Sequence, residues 1–293
     1  MSQAEDLRKR RVQRNFARAA PDYEGSAIVS AEVSQRMLER LELVQLEPRR
    51  VLDIGSGTGI AARALAERYH PEQLIALDLS LPMLRQHSDR RNWRRAWRSQ
   101  RAARICADFE RLPVRSGGLD LVISNLALHW TTQPARVFAE VSRVLRVGGL
   151  FMFTTFGPDT LKELARAAAE HADTSPVHAF VDMHDLGDAL VASGLSDPVM
   201  EMEYLTLTYE RLDGLLHDLK RSGGMSTGAT FPGLRTPRWR ERIAQRYEPF
   251  RRDGRLPATF ELVYGHAWKA QRRSAQTEDG RAVIQFEPRR RKM

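Results

Sequence analysis

The sequence predicts a doubly wound α/β fold: a mostly parallel seven-stranded sheet with helices on both faces, an antiparallel edge strand, and a helical cover over one end. Two observations carry this. Short apolar runs alternate with helical patterns from residue 51 to residue 156, the signature of a parallel sheet. The last two strand-like stretches then follow a change of style, with helices rather than regular crossovers between them.

Each element follows in order. Asn15 to about Leu46 is helical, because Ile28, Val33, Met37, Leu38 and Leu41 recur at roughly three- and four-residue steps, and Pro48 ends the segment. Val51–Ile54 is a buried strand running into glycines, and Ile60–Arg68 the helix after it. Leu74–Leu79 is a second strand, Pro82–Ser88 starts a helix, and Ala103–Ala107 and Leu119–Ser124 are the third and fourth strands. Arg136–Leu145 is helical, Gly148 and Gly149 break it, and Leu150–Thr155 is the fifth strand. Asp159–Glu170, Asp182–Ser193, Arg211–Lys220 and Arg238–Arg251 read as helices, Val199–Tyr209 and Ala258–Lys269 as strands, and Ser222–Thr236 as a loop. One domain over 15–269 is expected, with a ligand half at 45–156 and a cover and edge-strand half at 157–269. It is flanked by a mobile basic arm at 1–14 and a basic, disordered tail at 270–293.

Composition narrows the function classes. The chain has 293 residues, 42% of them hydrophobic, with Lys+Arg 46 against Asp+Glu 37 and a formal net charge of +9. Such a field favours an anionic partner. Cys106 has no second cysteine to pair with, no apolar run reaches the length of a membrane span, and the first residues lack an apolar signal core. A cytoplasmic protein away from membranes is expected.

The chemistry begins at Val51-Leu-Asp53-Ile-Gly55-Ser56-Gly57-Thr-Gly59, a strand entering a glycine turn and then a helix. Glycines let backbone approach a ligand closely. A dinucleotide fingerprint needs a third small residue where Ile60 stands, so that reading fails. Asp53 would repel a pyrophosphate but suits a cationic ligand. Asp78 closes the second strand, where an acid takes ribose hydroxyls, with Leu79 and Met83 beyond it. Asp108 closes the third strand beside Phe109, placed to accept from an adenine amine while the ring flanks the base. Asn125-Leu126 closes the fourth. Polar residues thus end four successive strands on one rim.

VLDIGSGTG, LIALDLSLPML, ADFERLPVRSGGLDLVISNLALHW and LRVGGLFMFTTF together resemble the class I methyltransferase family, whose fold is Rossmann-like. The resemblance implies S-adenosylmethionine as cofactor, held by Asp53, Gly55, Ser56, Gly57, Gly59, Asp78, Leu79, Met83, Asp108, Phe109, Asn125 and Leu126, and no metal. Phe16-Ala-Arg18-Ala-Ala-Pro-Asp-Tyr23, Asn125-Leu-Ala-Leu-His129-Trp130, Thr154 through Leu164, His178 through Leu186, Leu219 through Thr227 and Thr259 through Tyr264 resemble the malonyl-[acyl-carrier protein] O-methyltransferases of biotin synthesis over about residues 10–270. This implies methyl transfer to the malonyl carboxylate on an acidic acyl carrier protein. A carboxylate is ionised at pH 7, so no general base is required. Phe16, Tyr23, His129 and Trp130 are the candidates for lining the acceptor pocket, and Arg18, Lys220 or Arg221 for gripping the carboxylate. Other readings stay open. Leu128-His129-Trp130 and Phe156-Gly-Pro-Asp-Thr-Leu161 also resemble a methyltransferase-like hydroxylase that serves as a respiratory-complex assembly factor, and the cofactor segment alone would suit a quinone or small-acid methyltransferase. Arg90–Arg104, with seven arginines and two tryptophans, is read as a solvated helix, a carrier-docking patch or a nucleic-acid contact, with no nucleic acid expected.

Overall fold

The computed structural model describes residues 3–87, 102–168, 179–222 and 237–271. The arginine-rich run up to residue 101, most of the 222–236 loop and the tail from residue 272 lie outside these.

Seven strands form one sheet: β1 (Arg50–Ile54), β2 (Gln73–Asp78), β3 (Ala102–Cys106), β4 (Leu119–Ser124), β5 (Leu145–Phe156), β6 (Leu195–Tyr209) and β7 (Leu256–Lys269), in the order β3-β2-β1-β4-β5-β7-β6. The first five pair in parallel. The two late strands supply the antiparallel edge: β7 runs against β5, and β6 pairs antiparallel with β7 at the rim. Strands buried on both faces need apolar residues at successive positions rather than alternate ones. In β1, Val51 joins one core and Leu52 the other.

On one face pack α3 (Ile28–Glu42), α4 (Ile60–Tyr69), α7 (Lys162–Ala168), α9 (Leu212–Arg221) and α10 (Pro237–Tyr247), through residues such as Met37, Leu65, Leu164, Leu216 and Tyr247. On the other lie α6 (Pro134–Val144) and α8 (Met183–Ala192), through Val137, Phe138, Leu186 and Leu190. Strand order reverses between β1 and β4, so the carboxyl ends of these two strands open a crevice, where ligands bind in open α/β sheets.

Three expectations are corrected. The expected mobile arm at 1–14 is helical from Gln3: α1 (Gln3–Ala19) carries an Asp6–Arg10 pair at 2.8 Å one turn apart and docks on the crevice, as described below. The expected helix from Asn15 to Leu46 is interrupted. A 3₁₀ turn at Ala20–Asp22, a short α2 (Tyr23–Ser26) and α3 follow α1, because Pro21 has no N–H to continue a helix. β5 starts before the glycines, with Leu145 opposite Leu119. Gly148 takes φ 75° and the chain loops out before Leu150 pairs with Leu121.

Candidate active site

An open cleft of about 960 Å³ lies over the carboxyl ends of β1, β2, β3 and β4. From the first strand end and its turn come Asp53, Gly55, Ser56 and Gly57. From the next come Asp78 and Leu79, then Asp108 and Phe109, then Asn125 and Leu126. All ten were read from the sequence. The remaining two do not reach the cleft. Gly59 instead caps α4 at φ 84°, and Met83, in α5 (Leu81–Gln86), is fully buried.

Asp53 is buried. Its Oδ2 accepts from the Ser56 hydroxyl at 2.7 Å, while Oδ1 has no hydrogen-bond partner among the described residues. Burial pushes its carboxyl up to about 7, the Ser56 hydrogen bond opposing and the neighbouring Asp78 adding to the rise. Asp78 is also held above its ordinary range by burial, against amide donors from Ser80 at 2.7 Å and Gly57 at 2.9 Å. A buried and a half-buried carboxylate facing one cleft make it a place for positive charge. A ligand with an ammonium and a sulfonium, plus ribose hydroxyls and an adenine amine to donate, fits this set. The orphaned Asp53 oxygen is the observation that says so.

The loop itself is built for close approach. A Cβ on Gly55, at φ 70°, would fall 2.3 Å from the Ala127 Cβ, whereas one on Gly57, at φ 55°, would meet nothing within 4 Å. Sequence reading missed the group beneath it. His87 is fully buried, its Nε2 donates to the Gly57 carbonyl at 2.9 Å, and its ring fills the space a Gly59 side chain would need. Burial lowers it to about 4, so it is neutral. Nothing in a lone histidine at the end of a short helix signals this.

Sequence reading also missed what fastens the roof. Lys9, Gln13 and Phe16 of α1 line the cleft. Lys9 Nζ bridges Asp108 at 2.7 Å and Glu110 at 2.6 Å, and the Gln13 amide donates to the Leu79 carbonyl at 2.9 Å. Burial works against the Lys9 charge, but the two carboxylates outweigh it and raise its pKa.

A second pocket, open to solvent, adjoins the first, and Phe16, Tyr23, Ser30, Leu126 and Trp130 line both. Phe16 meets Trp130 edge-on at 5.3 Å and Tyr23 at 6.1 Å. His129 lines the second cavity and packs on Trp130 and Phe156. The four aromatic candidates are therefore together. The cationic ones are not. Arg18, Lys220 and Arg221 are exposed and line neither cavity. Arg221 turns outward to Asp22, at 3.8 Å. A guanidinium keeps its hydration on the surface unless a buried partner compensates, and the charged lining residue here, Asp218, already faces Tyr209, whose phenol it helps push up.

Comparison with known proteins agrees with this architecture. Residues 52–153 match the methyltransferase domain family model. The malonyl-[acyl-carrier protein] O-methyltransferase of Methylovorus sp. (strain MP688) is 46% identical over 96% of this chain and 95% of its own. That of Gallionella capsiferriformans (strain ES-2) is 47% identical over 94% and 95%. Among solved structures, the YcgJ protein of Bacillus subtilis superposes with a TM-score of 0.56 at 17% identity, over 80% of this chain and 98% of that one, a likeness of fold. The relatives favour the malonyl-carrier reading over the assembly-factor and quinone readings. No helix among the described residues is long and apolar enough to cross a membrane. With a cationic-ligand cleft at the switch point and relatives of this similarity along nearly its whole length, the chain is an S-adenosylmethionine-dependent methyltransferase and belongs to the malonyl-[acyl-carrier protein] O-methyltransferase family.

Proposed function

We propose that this chain methylates the free carboxylate of a malonyl group carried on an acyl carrier protein, giving the malonyl methyl ester used early in biotin synthesis. The observation that carries the reading is the meeting of two cavities at Phe16, Tyr23, Leu126 and Trp130, one acidic and one walled by aromatic and aliphatic side chains. When bound, S-adenosylmethionine would supply a sulfonium methyl for the carboxylate oxygen to attack, the O–C bond forming as the C–S bond breaks and S-adenosylhomocysteine leaves with the electron pair on its sulfur.

The residues divide the remaining work. Asp53 holds the cofactor's ammonium end through its orphaned oxygen, Asp78 the ribose hydroxyls, and Asp108 with Phe109 the adenine. Gly55 and Gly57 keep the turn low enough for close approach. Asn125 and Leu126 form the wall beside the reacting centre. Phe16, Tyr23, His129 and Trp130 exclude water from the acceptor carboxylate, which is ionised without a base. Bringing the two reactants together in this geometry is worth about 7–11 kcal/mol of effective concentration at best. The carrier is an acidic protein suited to a chain of net charge +9, met in the cytoplasm.

Mass spectrometry of malonyl-carrier protein incubated with the chain and S-adenosylmethionine tests this. One added methyl on the malonyl group, with none on acetyl-carrier protein, is the expected result. Tight cofactor binding without methylation of the malonyl carrier would overturn the reading.

A further inference from the structure

The phenol of Tyr23 ends a chain of hydrogen bonds whose direction is dictated by the backbone. The Leu126 amide, at a residue held at φ 47°, donates to Thr154 Oγ1 at 2.9 Å. An amide N–H can only donate, so the threonine hydroxyl passes its own proton on, to Asn125 Oδ1 at 2.8 Å. That fixes the asparagine amide. Its Nδ2 donates to the Ser30 carbonyl at 2.9 Å and to Ser30 Oγ at 3.3 Å. The Ser30 hydroxyl, having accepted, faces the Tyr23 oxygen and works against the rise of its phenol. Tyr23 is left with its own proton to give, on the wall shared by the two cavities. Burial pushes the phenol up to about 12, so it is a donor throughout the neutral range.

Other hydroxyls of the acceptor cavity are committed. Ser26 donates to the Asp22 and Tyr23 carbonyls, Ser222 to the Leu219 carbonyl, and Tyr209 faces Asp218. No lysine or arginine is among the described residues that line it. This suits the chemistry. Methyl transfer consumes the carboxylate's charge, so a cation would hold the ground state more tightly than the transition state and raise the barrier. A neutral donor orients the anion with a smaller penalty of that kind.

We propose that the Tyr23 hydroxyl holds the acceptor carboxylate at the point of transfer, donating to the oxygen that does not attack, and that Ser30, Asn125 and Thr154 are positioning residues that aim it. This rests on the malonyl-carrier reading above.

The test uses the full chain, malonyl-carrier protein with S-adenosylmethionine for turnover, and S-adenosylhomocysteine for binding. Tyr23→Phe keeps the ring against Phe16, so cofactor-product affinity stays within about twofold of the parent. The kcat/KM on malonyl carrier falls about 10- to 100-fold, the loss expected for one charged hydrogen bond. Ser30→Ala gives a smaller fall in the same parameter at unchanged affinity, and Ser30→Thr, which keeps the hydroxyl, restores turnover. A Tyr23→Phe protein that methylates the malonyl carrier within twofold of the parent overturns the assignment, as does one that has lost S-adenosylhomocysteine binding, which would place Tyr23 in cofactor binding instead. A parent chain that binds S-adenosylhomocysteine but leaves malonyl carrier unmethylated overturns the functional reading and this assignment with it.

Discussion

Asp53→Asn should stabilise the protein measured without cofactor and cripple its cofactor site. Asp53 is 1% exposed, and one of its oxygens lacks a partner. Burial raises its carboxyl from an ordinary 3.8 to about 7, a difference worth roughly 4 kcal/mol between its two protonation states. Because the folded value is raised, the native chain binds a proton more tightly than the unfolded chain between these two pH values. Stability therefore falls as pH rises from about 4 to about 7, and above pH 7 the whole penalty acts against the fold. Asparagine carries no such charge. Its advantage over the parent should approach an upper bound of roughly 4 kcal/mol at pH 8 and shrink towards zero near pH 4. Urea denaturation at pH 5, 6.5 and 8 measures it. A gain that is the same at every pH, or a loss at pH 8, would refute the reasoning. Calorimetry with S-adenosylhomocysteine supplies the other half. The parent's affinity should weaken by up to about tenfold per pH unit below 7, where Asp53 must give up its proton to meet the ligand's cation, and the asparagine variant should bind about 100-fold more weakly at pH 8 with no such slope. Full affinity in a folded Asp53→Asn protein would remove Asp53 from the cofactor site.

Three further outcomes follow from the same geometry. Gly55→Ala sets a methyl 2.3 Å from Ala127 at a positive φ and should lower stability by about 2 kcal/mol or more, whereas Gly57→Ala should lose about 1 kcal/mol of stability but more in cofactor affinity; thermal melts and calorimetry compare them, and equal effects at both positions would contradict the assignment of Gly57 to the cleft wall. His87→Ala removes the donor to the Gly57 carbonyl and the ring behind Gly59, so S-adenosylhomocysteine should bind about tenfold more weakly; unchanged affinity would mean that the loop holds its shape unaided. Lys9→Met leaves the buried Glu110 carboxylate without its cation, and hydrogen exchange should show α1 losing protection while the central strands keep theirs; a fully protected α1 would show that Gln13 and Phe16 suffice to hold the roof.

Reading along the chain located the strands well because a parallel strand buried on both faces must be written in consecutive apolar residues. VLDI, LIAL and LDLVIS have no other economical use. The cofactor loop was equally legible, since its glycines and the acids at the strand ends are each local, and the alternation of strands and helices puts every strand end on one rim. Gly59 and Met83 lie off the cleft because neighbours in sequence point to different sides: one caps the helix behind the loop and the other enters the core. Arg18 and Arg221 were expected in the pocket on charge complementarity alone, which says nothing about the cost of burying them.

By itself, then, the sequence determined the sheet, its crevice, the cofactor class and the aromatic set at Phe16, Tyr23, His129 and Trp130, all carried by short motifs and local periodicity. Tertiary structure alone decided three things: that Lys9 and Gln13 fasten α1 over the cleft, that His87 braces the glycine turn, and that Ser30, Asn125 and Thr154 are hydrogen-bonded together beside Tyr23. Each depends on side chains from distant segments coming within hydrogen-bonding distance, Lys9 with Asp108 and Ser30 with Asn125. No local pattern encodes such pairs, because only the packing of one helix against one end of the sheet brings them together.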